Sequence, residues 1–188
     1  MKSTIVTAAT VEPVTVPQVR EHSRIDIQDE DPYLATRITA AREAAEARTR
    51  SVFITQTWDD SFDGGFDDVL VLAKQPVQSI TSVTYTDTDG DTQTVAVTVY
   101  ELGEVHGRGV VRLKYGQVWP TDVRAHADSI AVRYVAGYGL ATAVPQPVIA
   151  AIELYVSHYN EAREGETPLS KAFQTMLGPY CFYQFPNP

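Results

Sequence analysis

The sequence predicts an α+β fold: a small helical bundle from the N- and C-terminal helices, with an inserted antiparallel β-sheet or sandwich. Apolar residues recur at helical spacing towards both ends of the chain, whereas Val, Thr and Tyr dominate its middle and alternate there with other residues. A length of 188 residues suffices for one domain that carries such an insertion. The predicted parts are an N-terminal helical part (1–51), a β insertion (52–137), and C-terminal helices with a tail (138–188).

Two helices are predicted in the N-terminal part. Residues 16–22 form a short helix with a proline in its first turn, where a missing N–H costs nothing. A longer helix runs to Arg50 from Asp31-Pro32, which combines an N-cap carboxylate with a proline at the first helical position. Its exposed face is supported by the i,i+4 pairs Arg42–Glu46 and Glu46–Arg50. Its apolar face consists of Leu34, Ile38, Ala41 and Ala45.

The middle of the chain predicts six or seven short strands. Asp89-Gly90 separates two alternating runs, and residues 86–92 are a predicted hairpin tip because glycine takes positive φ freely. Gly64-Gly65 marks another turn. The clearest strand runs are residues 77–85, 94–100, 110–113 and 130–135.

The C-terminal part returns to helical periodicity. An apolar stripe from Val148 to Tyr159 predicts one helix, which the charged residues 161–166 should end. A shorter helix is predicted from Pro168 to Leu177, where Gly178-Pro179 stops it.

The charge of the chain is acidic and its excess is local. The formal net charge is -9, which argues against tight DNA or RNA binding by the whole surface. Most of the excess lies between residues 59 and 91, and two interpretations stay open: a solvated loop and hairpin face, or an acidic surface that repels nucleic acid passing nearby. The candidate residues are Asp63, Asp67, Asp68, Asp87, Asp89 and Asp91.

The residues give no catalytic, metal or cofactor site. Cys181 is the only cysteine and the four histidines lack metal-ligand spacing, so no metal is expected. The acidic run 87–91 fails the calcium-loop pattern, and neither a phosphate-binding glycine loop nor a nucleophile elbow is present. No stretch approaches the ~20 apolar residues of a membrane span, so no membrane association is expected. The start of the chain also lacks the apolar core of a signal peptide.

The C-terminal residues 177–186 are rich in aromatic side chains. Chain termini are usually mobile, and exposed aromatic clusters tend to mark contacts. The segment either folds back onto its own helices or docks into a groove of another subunit or partner. Its aromatic members are Tyr180, Phe182, Tyr183 and Phe185.

A specific combination of short motifs extends over residues 14–183. It begins with residues 20–26 and 40–43 and Gln56-Thr57-Trp58, and it continues with residues 76–80, the hairpin 85–90 and Trp119-Pro120. Residues 134–139, 147–152, 163–164 and 177–180 complete it. This combination resembles phage head–tail connector proteins, the neck adaptors of long-tailed phages and of related gene transfer agents.

The resemblance implies a small helical bundle without a catalytic motif. It implies a homo-oligomeric ring, of twelve copies in the family, that sits beneath the portal protein after DNA packaging and extends the DNA channel. The ring presents a platform to the stopper or head-closure protein, and passing DNA slides through without tight binding. The location implied is the virion neck, after synthesis in the host cytoplasm.

The resemblance also implies roles for two sets of residues. The C-terminal segment docks onto the portal in relatives, which makes Leu177, Tyr180, Phe182, Tyr183 and Phe185 the candidates for that contact. The acidic residues between 63 and 91 become candidates for a channel lining that avoids holding DNA. The alternative is a stopper or tail-completion protein of the same particle, a class that is often β-rich and lacks the bracketing helices.

Overall fold

The computed structural model describes residues 1–25, 28–161 and 171–182. Its contacts divide the chain into two units. The sheet unit comprises Met1–Ala8 and Thr55–Gly137, and the helical unit comprises Ala9–Ile54 and Tyr138–Pro188. The predicted α+β class, with a β region inserted between N- and C-terminal helices, is therefore confirmed. The three-part boundaries at 51/52 and 137/138 stay a prediction.

The helical unit contains four helices in the described residues. They are α1 (Val16–Ser23), α2 (Asp31–Thr49), α3 (Gln146–Glu161) and α4 (Lys171–Leu177). The cap of α1 is reciprocal, since the Thr15 hydroxyl accepts the Gln18 N–H while the Gln18 side chain accepts the Thr15 N–H. The predicted N-cap of α2 is wrong by one position, because Asp31 is already helical and Glu30 precedes it.

The core of the helical unit forms where α2, α3 and α4 face one another. The predicted stripe of α2 is buried, and α3 contributes residues at the same i, i+3, i+4 spacing. The alanines of both helices leave shallow surfaces that let the helices approach closely. Its most deeply buried members are Leu34, Ile38, Phe53, Ile152, Phe173 and Leu177. The predicted end of α3 in residues 161–166 and the start of α4 near 168 fall largely outside the described residues.

Sequence analysis placed Arg42 on the exposed face of α2, but the Arg42 side chain is nearly buried. It is 9% exposed, because the chain that precedes α1 covers it and brings Glu12 against its guanidinium. The Nε atom donates to Glu12 Oε2 at 2.7 Å and Nη1 donates to Glu46 Oε2 at 2.8 Å. Glu46 also accepts the Phe53 N–H at 2.9 Å through Oε1. Arg42 and Glu46 together tie three segments of the helical unit to one another.

The sheet unit contains two antiparallel sheets. The larger has the strand order β1-β2-β8-β4-β5 and the smaller the order β3-β7-β6. The strands are β1 (Lys2–Thr7), β2 (Gln56–Phe62), β3 (Val69–Val71), β4 (Val77–Thr86), β5 (Thr92–Thr94), β6 (Tyr100–Val105), β7 (Arg108–Leu113) and β8 (Ile130–Ala136). The predicted six or seven strands within 52–137 are confirmed as β2 to β8.

Two parts of the strand prediction were wrong. Lys2–Thr7 is a strand within the part predicted to be helical, and as a largely exposed edge strand it has no burial alternation for the sequence to reveal. The predicted strand 94–100 is interrupted, because the chain leaves the larger sheet after Thr94 and enters the smaller one at Tyr100. A turn joins them, with Val99 N–H donating to Ala96 O at 2.9 Å.

A buried polar network lies within the larger sheet. Asp60 Oδ2 accepts the Tyr134 hydroxyl at 3.0 Å and the Ala73 N–H at 2.7 Å. The Tyr134 hydroxyl oxygen in turn accepts the Lys74 N–H at 3.0 Å. Burial raises the pKa of Asp60 even though these hydrogen bonds oppose the shift, and burial also raises the pKa of Tyr134. The network joins the chain after β3 to two central strands.

Candidate functional surfaces

The predicted acidic residues come together at one end of the larger sheet. Both β2 and β4 pair with β8, and Phe62 and Tyr85 lie opposite the same residue, Ile130. The chain therefore leaves β2 and β4 at the same end, which places residues 63–68 beside the hairpin 87–91. The opposite end of β2, where Gln56 pairs with Ala136, is about 20 Å away at ~3.3 Å per residue. We call the end that carries these loops the acidic sheet end.

Most of the predicted aspartates on this end are exposed. Asp67 and Asp68 are exposed and lie in the loop after β2. Asp63 is also exposed, and it accepts the Asp128 N–H at 2.9 Å while lying 3.7 Å from the terminal ammonium of Met1. The loop before β8 is thereby tied to the loop after β2.

Asp87 has a different role from its acidic neighbours. It is 8% exposed, and its Oδ1 atom accepts the N–H groups of Asp89 and Asp91 at 3.1 and 2.9 Å. Its Oδ2 atom accepts the Gln93 side chain at 2.7 Å, and this hydrogen bond is the main cause that lowers the pKa of Asp87. Asp87 shapes the turn around Gly90, whose φ is +95°, and it presents Asp89 and Asp91 to solvent.

Sequence analysis missed two aspartates of the acidic sheet end. Asp122 lies beside the hairpin, where its carbonyl accepts the Thr88 N–H at 2.9 Å, and Asp128 contacts Asp63. Both precede β8, whose first residue lies opposite the ends of β2 and β4. A register prediction for β8 would have revealed them.

An aromatic cluster joins the loops of the acidic sheet end. Phe66 stacks on Trp119 with ring centroids 4.5 Å apart and meets Tyr85 edge-on at 6.0 Å. The Tyr85 hydroxyl donates to Asp122 Oδ1 at 3.2 Å. Apolar packing and one hydrogen bond thus fix the loops that carry the aspartates.

The charged groups of the acidic sheet end are mostly carboxylates. Among the described residues, no group of three or more histidines, cysteines or acids is arranged to hold a metal ion. Arg124 lies against Gly90 and offsets part of the charge. The exposed aspartates of this end carry negative charge, and a role towards DNA stays a prediction.

The C-terminal segment folds back over the end of α2 as far as the structure describes it. Leu177 is 0% exposed and belongs to the helical core. Tyr180 packs partly against that core, and its carbonyl accepts the Ser51 hydroxyl at 3.2 Å. The Phe182 N–H then donates to Thr49 O at 2.9 Å. The predicted contact residues Tyr183 and Phe185 lie outside the described residues.

The predicted docking residues of this segment differ in their exposure to solvent. Leu177 offers no surface to a partner, whereas Tyr180 and Phe182 keep part of their surface exposed. The last described residue, Phe182, contacts Thr49 next to Arg50, which ends α2 in a left-handed conformation. Docking by the residues that follow stays a prediction.

None of the described helices is both long and apolar enough to pass through a bilayer.

No protein-family model and no curated protein matches the sequence. Solved structures, in contrast, match the whole chain.

Three of these structures come from gene transfer agent particles. A chain from the virion of a native particle is 22% identical, with a TM-score of 0.83, and the match covers 100% of this chain and 99% of that one. A chain from the neck of an empty particle, computed with C6 symmetry, is 21% identical with a TM-score of 0.82 and the same coverage. A chain from the neck of a native particle, computed with C12 symmetry, is 20% identical with a TM-score of 0.78, again with that coverage.

This likeness defines the class of fold. The chain shares its complete α+β architecture, from the first strand to the C-terminal segment, with chains of gene transfer agent particles. At these identities it is the fold that is shared.

Proposed function

We propose that this chain is a structural neck protein of a phage-like particle of the gene transfer agent kind, and that it acts there as a head–tail connector. The observation that carries the proposal is the coverage of the structural match, 100% of this chain and 99% of the other at a TM-score of 0.83. The motifs that resemble neck adaptors point the same way. The role is one of assembly rather than catalysis.

Several copies would form a ring beneath the portal and join the capsid to the tail. The similar neck structures were computed with C6 and C12 symmetry, which supports a homo-oligomeric ring. We propose a dodecamer whose two faces meet the portal and a stopper or head-closure protein. The helices α2 and α3 favour this role, because stopper and tail-completion proteins often lack helices that bracket the β region.

We further propose that the acidic sheet end lies along the path of the DNA. Asp63, Asp67, Asp68, Asp89 and Asp91 supply exposed carboxylates there, while Asp87 holds the hairpin in shape. DNA gains affinity for a protein when Lys or Arg releases its counterions, and aspartates avoid that gain. DNA would then slide past the ring without being held.

Neutralising part of the acidic sheet end is expected to slow DNA ejection. Particles assembled with Asp63→Asn, Asp67→Asn and Asp68→Asn in one chain should eject DNA more slowly, because three repulsive charges per copy are removed. Asparagine keeps the side-chain oxygen that accepts the Asp128 N–H. The control chain carries Glu21→Gln, Asp29→Asn and Glu43→Gln, which remove the same charge from exposed positions of the helical unit. Equal ejection rates for the two variants and the parent would refute the channel role.

Portal binding is expected to depend on the residues that follow Phe182. Co-sedimentation with portal rings of the same particle would compare the full chain with a chain that ends at Phe182. We expect the shortened chain to bind at least tenfold more weakly, since losing one aromatic anchor of an interface costs about 2 kcal/mol or more. The full-length variant Tyr183→Ala with Phe185→Ala should reproduce the loss.

Other outcomes of the portal experiment assign the contact elsewhere. Undiminished binding of the shortened chain would contradict docking by the tail and move the contact to the helices or the sheet unit. Absence of binding by every form, including the full chain, would contradict the connector role and favour a stopper or tail-completion protein.

A further inference from the structure

The sheet unit presents an unusual apolar projection at one end of the β6–β7 hairpin. Tyr115 is fully exposed, and Val118 and Val97 are 79% and 69% exposed. Tyr115 and Val118 follow β7, and Val97 precedes β6. Tyrosine is enriched among the residues that dominate binding energies, and exposed apolar clusters tend to mark contacts.

The projection is held in a defined shape. Gln117 N–H donates to Lys114 O at 3.1 Å across a tight turn, in which Gly116 has a φ of +76°. Lys114 fixes the adjoining segment, since its backbone N–H donates to Val99 O and its Nζ donates to Val97 O, both at 2.9 Å. Little conformational entropy would therefore be lost if a partner received Tyr115.

An open pocket of about 410 Å³ lies towards the other end of the same hairpin. Pro76, Val77 and Leu102 give it apolar walls, and Glu104 and Arg112 supply charge. Its floor includes Gly103, where a Cβ atom would come within 2.8 Å of the Arg112 Nε atom. The missing side chain leaves room for the Arg112 guanidinium to lie across the strand.

The chemistry of the pocket suits a tyrosine that is flanked by a lysine. Glu101 accepts from Arg112 Nε at 2.9 Å and so orients the planar guanidinium, a group that stacks on aromatic rings. The apolar walls match the ring of Tyr115. The exposed Glu104 matches Lys114, so the charges of projection and pocket are complementary.

Tyr115 does not occupy the pocket of its own copy, because its side chain is fully exposed. Tyr100 pairs with Leu113 beside the projection, and Val105 pairs with Arg108 at the other end of the hairpin. The pocket residue Glu104 pairs with Gly109, four residue steps or about 13 Å from Tyr100, whereas Arg112 directly precedes Leu113. A contact that seats Tyr115 in the pocket would therefore join different copies head to tail.

We propose that the Tyr115 turn of one copy inserts into the Arg112 pocket of a second copy of this chain. Such a contact uses different patches on its two sides, and repeated contacts of this kind generate a ring when the rotation closes. Only the closure of the ring rests on the proposed neck function. The contact itself is a property of this chain.

A photo-cross-linking experiment tests the contact directly. A benzophenone maleimide is attached to the full chain that carries Tyr115→Cys and Cys181→Ser, and irradiation follows in concentrated solution and on portal rings. A mixture of ¹⁴N- and ¹⁵N-labelled chains identifies links between copies by mass spectrometry. We expect intercopy links to residues 75–77 and 102–112. No link between copies, links to another surface of the chain, or links to a different protein would each overturn the proposal.

A charge exchange in the chain that carries the cross-linker provides a second test. Glu104→Lys alone should lower the yield of intercopy links about fivefold, because a like charge then faces Lys114. Combining it with Lys114→Glu should raise the yield above that of Glu104→Lys alone, even though the hydrogen bond from Lys114 Nζ to Val97 O is then lost. Glu43→Lys in the helical unit should not change the yield. Failure of the double variant to recover would contradict the predicted pairing.

The two proposals fail in distinguishable ways. Normal portal co-sedimentation without the intercopy link would refute this contact and leave the connector role intact. Intercopy links without any portal binding would leave the contact intact and refute the connector role.

Discussion

Replacing Arg42 by leucine is expected to lower the free energy of unfolding of the helical unit by about 3 kcal/mol. The guanidinium is nearly buried between Glu12 and Glu46, to which it donates at 2.7 and 2.8 Å. Burial by itself would lower the pKa of Arg42, but its hydrogen bond to Glu12 and the charges of Glu46 and Glu12 outweigh it and raise the pKa. Leucine would leave two partly buried carboxylates without their cation.

The structure offers a clear readout for the Arg42 variant. Both tryptophans, Trp58 and Trp119, lie in the sheet unit, so their fluorescence does not report on the helices directly. Hydrogen exchange of the α2 and α3 amides during denaturant titration measures the helical unit itself. The control is Arg48→Leu on the exposed side of α2, which should change stability by less than ~0.5 kcal/mol. Equal effects of the two substitutions would contradict the role of the buried network.

Leu177→Ala is expected to cost the helical unit about 2–5 kcal/mol, in the range of large-to-small core substitutions. The side chain is 0% exposed and packs with the buried residues of α2, α3 and α4. Removing three carbon atoms leaves a cavity that its close-packed neighbours fill only in part. The effect follows from loss of core packing, with no portal present.

Thr175→Ala on the exposed side of α4 is the control for Leu177→Ala. It should cost less than ~1 kcal/mol, because only the hydrogen bond from its hydroxyl to Lys171 O is lost. Thermal denaturation followed by circular dichroism at helical wavelengths measures both variants. A Leu177→Ala chain with parental stability but weakened portal binding would show that Leu177 acts in docking and not in the core.

The secondary structure was predictable wherever burial makes apolar residues recur at the spacing of a helix or a strand. The stripe Leu34, Ile38, Ala41 and Ala45 of α2 is buried as predicted, and Asp89-Gly90 forms the tip of the β4–β5 hairpin. Prediction failed for β1, an edge strand that buries almost nothing. It also failed at residues 95–99, where alternation continues although the chain passes from one sheet to the other.

The candidate surfaces were predictable as residue types but not as groups. The acidic residues of the loop after β2 and of the hairpin are neighbours because β2 and β4 both pair with β8, and the sequence does not encode that strand order locally. Asp122 and Asp128 join them for the same reason. Asp87 differs from the exposed Asp89 because its carboxylate accepts the backbone N–H of Asp89, two residues further along the chain. The residue types alone do not show which aspartate forms this hydrogen bond.

The sequence alone determined the α+β class, the central helices, the acidic character of the middle segment and the resemblance to neck adaptors. These properties depend on local periodicity, composition and short motifs. The tertiary structure decided the burial of Arg42 and Leu177, the gathering of the aspartates at one sheet end, and the pocket that residues 75–77 form with the β6–β7 hairpin. Each of these depends on contacts between residues far apart in the chain, which local patterns do not specify.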